Sequence, residues 1–529
     1  MRTTRLSQRF LAPVAAVLVT AILSSCTTES IVFRERAPFN PPPDAASGFL
    51  GYYDATAQQT TCGNCHAGEQ ATWVETKHAN ATETLDLNAN AQDFCYSCHT
   101  ISSNGNATAA PAGWEVVKDS VYRDVQCESC HGPGLTHVEG VGQGNVIRPL
   151  AKISQEGEGV CADCHSGNHQ PFVEQWKQSL HGNLTAYPQS RAGCQSCHEG
   201  RGALTAWGVE SNYVERDTDE LQQITCAVCH DPHGSTNDHQ LRKSITSPDP
   251  AQHLCMSCHL RIDTPTGGSS RGSSPHGAQG AVLLGFAGWR PPGFVYDTAR
   301  IYGTHATTRN PKLCAGCHVG RFEVTDPATG DFVFQSVGHQ FEAVPCVDSQ
   351  GVPTGETECA FTANARNWDT CTTSGCHASA GVAASLYNAT KIELQLLSDI
   401  LWVDTDGDSS IDPFPTDGGY LPRIKLNAPA DLNPNDFEIT APDGAEFNAK
   451  ICGIGLYSQE DGSYGVHNKF LCIALLASSA SYLKSIYGFL PSPPANVAAI
   501  WEEWAKPVAT GGEGQPIIKR EAFPVLNNR

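Results

Sequence analysis

Long periodic runs are scarce between residues 62 and 378. Apolar residues there come singly or in twos among Gly, Pro, Ser and Asn, so neither a helical nor a strand period persists. Short helices, little sheet and much irregular backbone are expected. After His377 the pattern changes. Residues 379–403 have helical spacing that ends near Trp402, and residues 467–487 form a second candidate helix with Leu471, Leu475 and Tyr482 on one side. Gly488 and Pro491 stop that helix, and a short third candidate surrounds Trp501 and Trp504. At the other end, Arg2, Arg5 and Arg9 precede an apolar stretch from Phe10 to Leu23. It is too short for a transmembrane helix and has the pattern of a leader peptide over residues 1–25. No later segment is expected to span a bilayer. Residues 26–61, with Asn40-Pro41-Pro42-Pro43-Asp44, read as a flexible tether.

A chain with so few aliphatic runs must build its core from something else, and the cysteines say what. Cys-x-x-Cys-His occurs eight times: Cys62, Cys65 and His66; Cys95, Cys98 and His99; Cys127, Cys130 and His131; Cys161, Cys164 and His165; Cys194, Cys197 and His198; Cys226, Cys229 and His230; Cys255, Cys258 and His259; Cys314, Cys317 and His318. A ninth, stretched copy is Cys371-Thr-Thr-Ser-Gly-Cys376-His377. In chain order these are motifs 1 to 9. The pattern is the attachment signature of haem c: two thiols form thioethers to the porphyrin, and the histidine is held under the iron. A zinc site does not require His directly after the second Cys each time, and here all nine copies have it. Nine haems are expected. Motifs 1 to 7 start 33, 32, 34, 33, 32 and 29 residues apart, an internal repeat, and the last two steps lengthen to 59 and 57. About 33 residues per haem cannot insulate one macrocycle from the next, so neighbours should stack. The expected fold class is mainly α and irregular, low in secondary structure, with a core of stacked haems. The expected divisions are 62–260 (motifs 1–7), 261–378 (motifs 8–9) and a haem-free, mainly helical part at 379–529.

Iron needs a second axial ligand or stays open. Met256 is the one methionine left after the leader, so histidine must fill most distal positions. Twenty histidines minus nine proximal leave eleven candidates for nine sites, which favours bis-histidine, low-spin iron. Eight are expected to ligate: His78, His137, His181, His233, His276, His305, His339 and His467. One of His169, His239 and His253 is expected to supply the ninth.

Several of these histidines sit in segments that resemble known multihaem cytochromes. Trp73-Val-Glu-Thr-Lys-His78 and Trp176-Lys-Gln-Ser-Leu-His181 share Trp-x-x-Ser/Thr-x-His. Motif 3 continues Gly-Pro-Gly-Leu-Thr-His137. Both patterns are similar to distal-ligand segments of the nitrogen-cycle tetrahaem and octahaem cytochromes. Motif 6 continues Asp-Pro-His233-Gly-Ser before motif 7, very similar to the doubled-CxxCH family, where that histidine is a haem ligand. Ser274-Pro-His276-Gly-Ala-Gln, Thr304-His305 and Gly338-His339-Gln-Phe341 look like segments of bacterial multihaem lipoproteins. Gly465-Val-His467-Asn468 is similar to a C-terminal ligand helix of such proteins, with Lys469 where proline is often next. The resemblance covers residues 62 to about 480 and implies haem binding and electron transfer.

The remaining chemistry is peripheral. Leu23-Ser24-Ser25-Cys26 resembles a lipobox in which Cys26 becomes the lipidated N-terminus, and Thr27 in place of Asp implies the outer membrane. Export fits haem attachment and permits two disulfides among Cys346, Cys359, Cys452 and Cys472. Local pairing suggests Cys346–Cys359 and Cys452–Cys472, with the other connectivities open. Asp404, Asp406, Asp408 and Asp412 alternate as in the Asp-rich loops of thrombospondin type-3 and dockerin-like repeats, so the stretch reads either as a Ca2+ loop or as a solvated acidic turn. The formal charge of −21 disfavours nucleic acid and anionic lipid, and favours a basic redox partner or cationic or mineral metal. The expected activity is electron transfer at the outer membrane or cell surface, with redox proteins, a porin-cytochrome conduit or an extracellular acceptor as partners. The rivals are a nitrite or hydroxylamine-type oxidoreductase, which needs one five-coordinate haem, and a subunit of a cytochrome filament. No residue is expected to be catalytic in the acid–base sense.

Overall fold

Two cysteines three apart reach one porphyrin most simply from a single turn of helix, because side chains at i and i+3 share a face. The chain uses that turn repeatedly. Short helices cover Tyr96–His99, Cys127–His131, Gln195–His198, Cys226–Cys229 and Cys314–His318, and 3-10 turns cover Cys62–Asn64 and Cys255–Ser257. This computed structural model describes residues 39–504 except 107, 145, 152–159, 168, 184–185, 210–219, 268–273, 295, 297–300, 302–303, 374–375, 434–435, 437 and 454–460. The leader and Cys26 lie outside the described residues. Backbone contacts gather Pro41–Arg529 into one unit, apart from Met1–Asn40.

Among the described residues, sheet is limited to two antiparallel ribbons: β1 (Tyr52–Asp54) with β2 (Gln59–Thr60), and β3 (Phe322–Thr325) with β4 (Phe332–Ser336). The motif-bearing part has only small apolar clusters, such as Phe49, Ile101, Ala112 and Tyr122, or Ala203, Leu204 and Val228. One expectation is corrected here. Residues 44–61 are not tether: Phe49, Leu50 and Tyr52 are buried, and Tyr122 Oη donates to the Phe49 carbonyl at 2.9 Å. Prolines ahead of them suggested an extended linker, but the aromatic residues that follow carry enough apolar surface to dock.

The aliphatic core is C-terminal. It is built by α1 (Ala380–Leu401), α2 (Tyr420–Asn427), α3 (Ala441–Cys452), α4 (Lys469–Ile486) and α5 (Ala495–Trp504). These close on Ala278, Ala281, Val282, Ala287 and Ile301 in one cluster with Leu394, Phe447, Leu471 and Leu475. Asn448, fully buried, accepts from the Trp289 N–H at 2.7 Å and donates to the Trp289 carbonyl at 2.7 Å, which fixes α3 to that segment. Ser379 caps α1 and Asn468 caps α4. Helices α2 and α3 escaped the sequence pattern because Pro422, Gly444 and Asn448 lower their intrinsic propensity, and burial overrides it. Helix α4, at 18 residues, is long and apolar enough by composition to cross a bilayer, contrary to expectation. Its apolar residues face the bundle on nearly every side, as a core helix requires. Disulfides join Cys346 to Cys359 and Cys452 to Cys472, the local pairing.

Candidate metal centres

Metal–imidazole bonds of about 2 Å on both sides of one ion would set the two ring centroids roughly 6 Å apart. Eight of the nine motif histidines face a second histidine at that spacing. The pairs are His66–His137 at 6.4 Å, His131–His233 at 6.2 Å, His165–His78 at 6.2 Å and His198–His276 at 6.0 Å. The others are His230–His339 at 6.4 Å, His259–His181 at 6.1 Å, His318–His467 at 6.2 Å and His377–His305 at 6.3 Å. Every one of the eight favoured distal histidines is therefore opposite a motif histidine, and each comes from a different stretch of chain than its partner.

The rings are oriented by their other nitrogen. Nδ1 of His131, His137, His230, His305, His318 and His339 lies 2.7–3.1 Å from the carbonyls of Pro149, Ile147, His239, Val466, Phe341 and Val337. A proton on Nδ1 leaves Nε2 as the lone-pair donor that a metal takes. Burial pushes His78, His181, His318 and His339 down to about 4, so these rings are neutral, the ligating state. His467 differs: its Nδ1 donates to the buried Asp461 carboxylate at 2.6 Å. Asp461 was not anticipated, because nothing in the sequence marks an acidic residue six positions upstream as an orienting group.

His99 of motif 2 stands apart. Its Nδ1 lies 2.9 Å from the Ala81 carbonyl, but no imidazole faces the ring among the described residues. The three candidates for the ninth partner lie elsewhere. His169 is exposed, the His239 carbonyl takes the His230 proton, and His253 is fully buried beside Cys255 and Cys314.

The motif sulfurs, thiols in place of thioethers, fix which motifs adjoin. Thiols lie near one another between Cys62 and Cys127, Cys98 and Cys164, Cys161 and Cys226, Cys197 and Cys258, and Cys255 and Cys314. Cys130 is close enough to feel Cys161 and Cys164, Cys229 to feel Cys258, and Cys317 to feel Cys371 and Cys376. The motifs therefore run 1–3–4–6–7–8–9, with motif 2 branching at 4 and motif 5 at 7.

Two of the expected anchors depart from the rest. Cys65 of motif 1 and Cys376 of motif 9 are exposed, whereas the other motif cysteines are half-buried. Cys65 still lies one turn from Cys62, its N–H donating to the Cys62 carbonyl at 3.1 Å, so the pair keeps the spacing of an attachment site. Protein covers Cys62, which lies near Cys127 of motif 3, and leaves Cys65 toward solvent. Spacing could not foresee this difference, because it carries no information on which side of a motif the chain packs.

The contacts among motifs 1 to 4 recur among motifs 4 to 7. Two tryptophans repeat with them: Trp73 Nε1 donates to the Val125 carbonyl, two residues before motif 3, and Trp176 Nε1 to the Ile224 carbonyl, two before motif 6. The structural repeat is thus three motifs long, where spacing alone suggested one. Large apolar side chains beside the motifs stand exposed, Leu87 at 81 %, Phe94 at 76 % and Leu180 at 85 %. Together, paired imidazoles, adjoining sulfurs and apolar flanks fit haem c.

The acidic loop is arranged differently from the expectation. Asp404 and Asp406 converge with Asp417, whereas Asp408 and Asp412 are not part of the group. Asp417 is fully buried and accepts from Trp402 Nε1, Thr405 N and Asp412 N at 2.9–3.0 Å. Asp404 accepts from Gly407 N and Ser409 N. Asp417 was missed because it closes the loop from beyond Pro415.

Comparison with known proteins matches two short stretches to families. The cytochrome c554 and c-prime family matches residues 61–132, and the doubled CXXCH motif matches residues 220–264. The multiheme cytochrome MtrA of Shewanella baltica is 26 % identical over 157 residues, which is 27 % of this chain and 44 % of that protein. The C-type polyheme cytochrome OmcB of Geobacter sulfurreducens is 29 % identical over 160 residues, 25 % of this chain and 20 % of that one. The chain thus spans less than half the length of these curated relatives. An undecaheme cytochrome from the S-layer of Carboxydothermus ferrireducens superposes with a TM-score of 0.48 at 18 % identity, over 83 % of this chain and 70 % of that chain.

Proposed function

We propose that this chain, a multihaem c-type cytochrome, is a nine-haem electron carrier that conducts along the line of motifs 1–3–4–6–7–8–9. The observation that carries this reading is the unbroken series of adjoining motif sulfurs. Electron transfer needs redox centres edge to edge, and a gap anywhere in the series would remove the case for it. The eighteen motif cysteines would hold the porphyrins and the nine motif histidines the irons, with His78, His137, His181, His233, His276, His305, His339 and His467 on the distal side. The exposed Cys65 and Cys376 would be shielded by their own porphyrins, which leaves the two end haems open to redox partners. Haem c supplies a one-electron iron couple when bound. The protein's own residues do the rest: backbone carbonyls and Asp461 fix ring orientation and ligand basicity, and burial keeps the rings of His78, His181, His318 and His339 neutral. No acid–base residue is invoked.

Location at the outer membrane, with Cys26 lipidated, is part of the same reading, as are redox partners in a conduit across that membrane. It draws on MtrA and OmcB being multihaem relatives and on the acidic charge. Asp404, Asp406 and Asp417 would give three of the six to eight oxygens of a Ca2+ site. Intact mass of the purified protein tests the core of the proposal. Peptide plus nine haems is expected, and a mass of eight haems with Cys371 and Cys376 unmodified would remove motif 9 from the line.

A further inference from the structure

We infer that Gln175 is a positioning residue for two consecutive centres of the proposed line. It clasps residues 335–341, so that His339 stands nearly parallel to His230 at motif 6 and His181 nearly perpendicular to His259 at motif 7. The ring planes meet at 16° in the first pair and at 71° in the second. This rests on the haem-carrier reading above.

Gln175 is buried in the helix Phe172–Gln178. Its side-chain amide acts as a peptide of a neighbouring strand would. Nε2 donates to the Gln335 carbonyl at 3.0 Å, and Oε1 accepts from the N–H groups of Val337 at 3.0 Å and His339 at 3.3 Å. The Val337 carbonyl in turn lies 3.1 Å from Nδ1 of His339, so one short stretch holds both the backbone and the ring of this histidine. Trp176, the next residue on the helix, donates to the Ile224 carbonyl ahead of motif 6. A single turn of helix therefore fixes both sides of the motif 6 centre.

The clasp is reciprocal. Phe172 of the helix sets its ring 4.9 Å from His339 at 83°, and Phe341 of the clasped stretch sets its ring 4.6 Å from His181 at 81°. An edge-on ring in contact resists rotation of its neighbour, so each partner fixes the plane of the other's histidine. The side chains of Gln178 and Gln340 bond to one another between these two contacts. The Phe341 carbonyl lies 2.9 Å from Nδ1 of His318, which extends the clasp to motif 8.

The first half of the structural repeat makes the same contact with backbone alone. Thr72 precedes Trp73 as Gln175 precedes Trp176. The Thr72 carbonyl packs on Gly234, next to His233, so closely that a Cβ there would lie 2.6 Å from the oxygen. His233 meets His131 of motif 3 at 9°, and His78 meets His165 of motif 4 at 53°. A near-parallel centre followed by a crossed one therefore recurs, and the Gln175 side chain spans in the second half what the glycine contact closes in the first.

EPR of the oxidised holoprotein tests this, because low-spin ferric iron reports the angle between its axial imidazole planes. Near-parallel planes give a rhombic signal, and crossed planes give one at larger g. His339→Ala should remove one rhombic signal and His181→Ala one large-g signal, each with the gain of one high-spin iron, which assigns the two centres. Gln175→Leu keeps the volume and removes the polar atoms. It should shift those two signals and the potentials of the same two centres, with no new high-spin iron. Gln175→Glu, which keeps an accepting oxygen, should return both signals toward the parent. Asn448→Ala, which removes buried hydrogen bonds from the C-terminal bundle instead, should move neither. Should Gln175→Leu fail to accumulate, Gln175→Asn, one methylene shorter, should shift the same two signals. Unmoved signals in the Leu or Asn variant, with both histidine variants behaving as expected, would overturn this inference alone. So would a shift spread over other centres. Low-spin iron retained in both histidine variants would overturn the ligand reading, and the inference with it.

Discussion

The Asp461 carboxylate accepts the Nδ1 proton of a paired histidine, His467, at 2.6 Å. The carbonyl acceptors elsewhere are neutral dipoles. A carboxylate pushes more electron density into the ring and favours the ferric state. In Asp461→Asn the haem of motif 8 should therefore become easier to reduce, by about 50 mV, roughly 1 kcal/mol for one electron. Spectrally resolved potentiometry should find the other eight potentials unmoved. An unchanged motif 8 potential would mean that Asp461 orients the ring without tuning it.

At the scale of elements, the motif helices are pinned to the rest of the chain by single buried polar groups. Glu128, inside the helix of motif 3, accepts from the backbone N–H groups of Leu50, Gly51 and Gly134. It is what holds the 44–61 segment against motif 3. Burial pushes its carboxyl up to about 7, outweighing the three N–H bonds that favour the charge. An unfolded glutamate titrates near about 4.3. Between these values the folded protein holds a proton that the unfolded chain has released, so stability is greatest below about 4.3 and declines as pH rises toward about 7. Glu128→Gln should remove that decline in denaturant melts across the range. Glu128→Ala should cost about 3 kcal/mol or more, since three buried donors lose their acceptor.

For the whole molecule, the proposed line of motifs 1–3–4–6–7–8–9 distinguishes centres that would conduct from those on branches. Replacing a distal histidine by methionine raises a haem's potential and makes it an electron trap. His181 faces the motif 7 histidine, on the proposed line, and His276 faces the motif 5 histidine, on a branch. His181→Met should slow end-to-end transfer roughly tenfold for each 59 mV of trap depth, measured as current through oriented protein on an electrode. His276→Met should leave it within about twofold. Equal effects from both would contradict the branched order.

The sequence by itself determined the chemistry that is local. Thioether attachment and the proximal ligand need neighbours at fixed short spacing, so nine motifs are legible as strings, and resemblance and elimination also pick out the eight histidines that face them. Helices α1 and α4 were legible too, from apolar spacing over residues 379–403 and 467–487 and from the stop at Gly488 and Pro491. What only the tertiary structure decided is which parts meet. His78 faces motif 4 and His467 faces motif 8, from 87 and 149 residues away, and no local rule encodes such closure. Cys62 and Cys65 read alike as strings, yet one lies near Cys127 of motif 3 and the other is exposed. The same holds for Asp461, Asp417 and Glu128, single carboxyls whose roles come from burial rather than spacing. The repeat shows the division most clearly. Spacing revealed one motif every 33 residues or so, but the contact pattern that recurs is three motifs long. Sequence period counts attachment sites, whereas packing counts the unit that closes on itself.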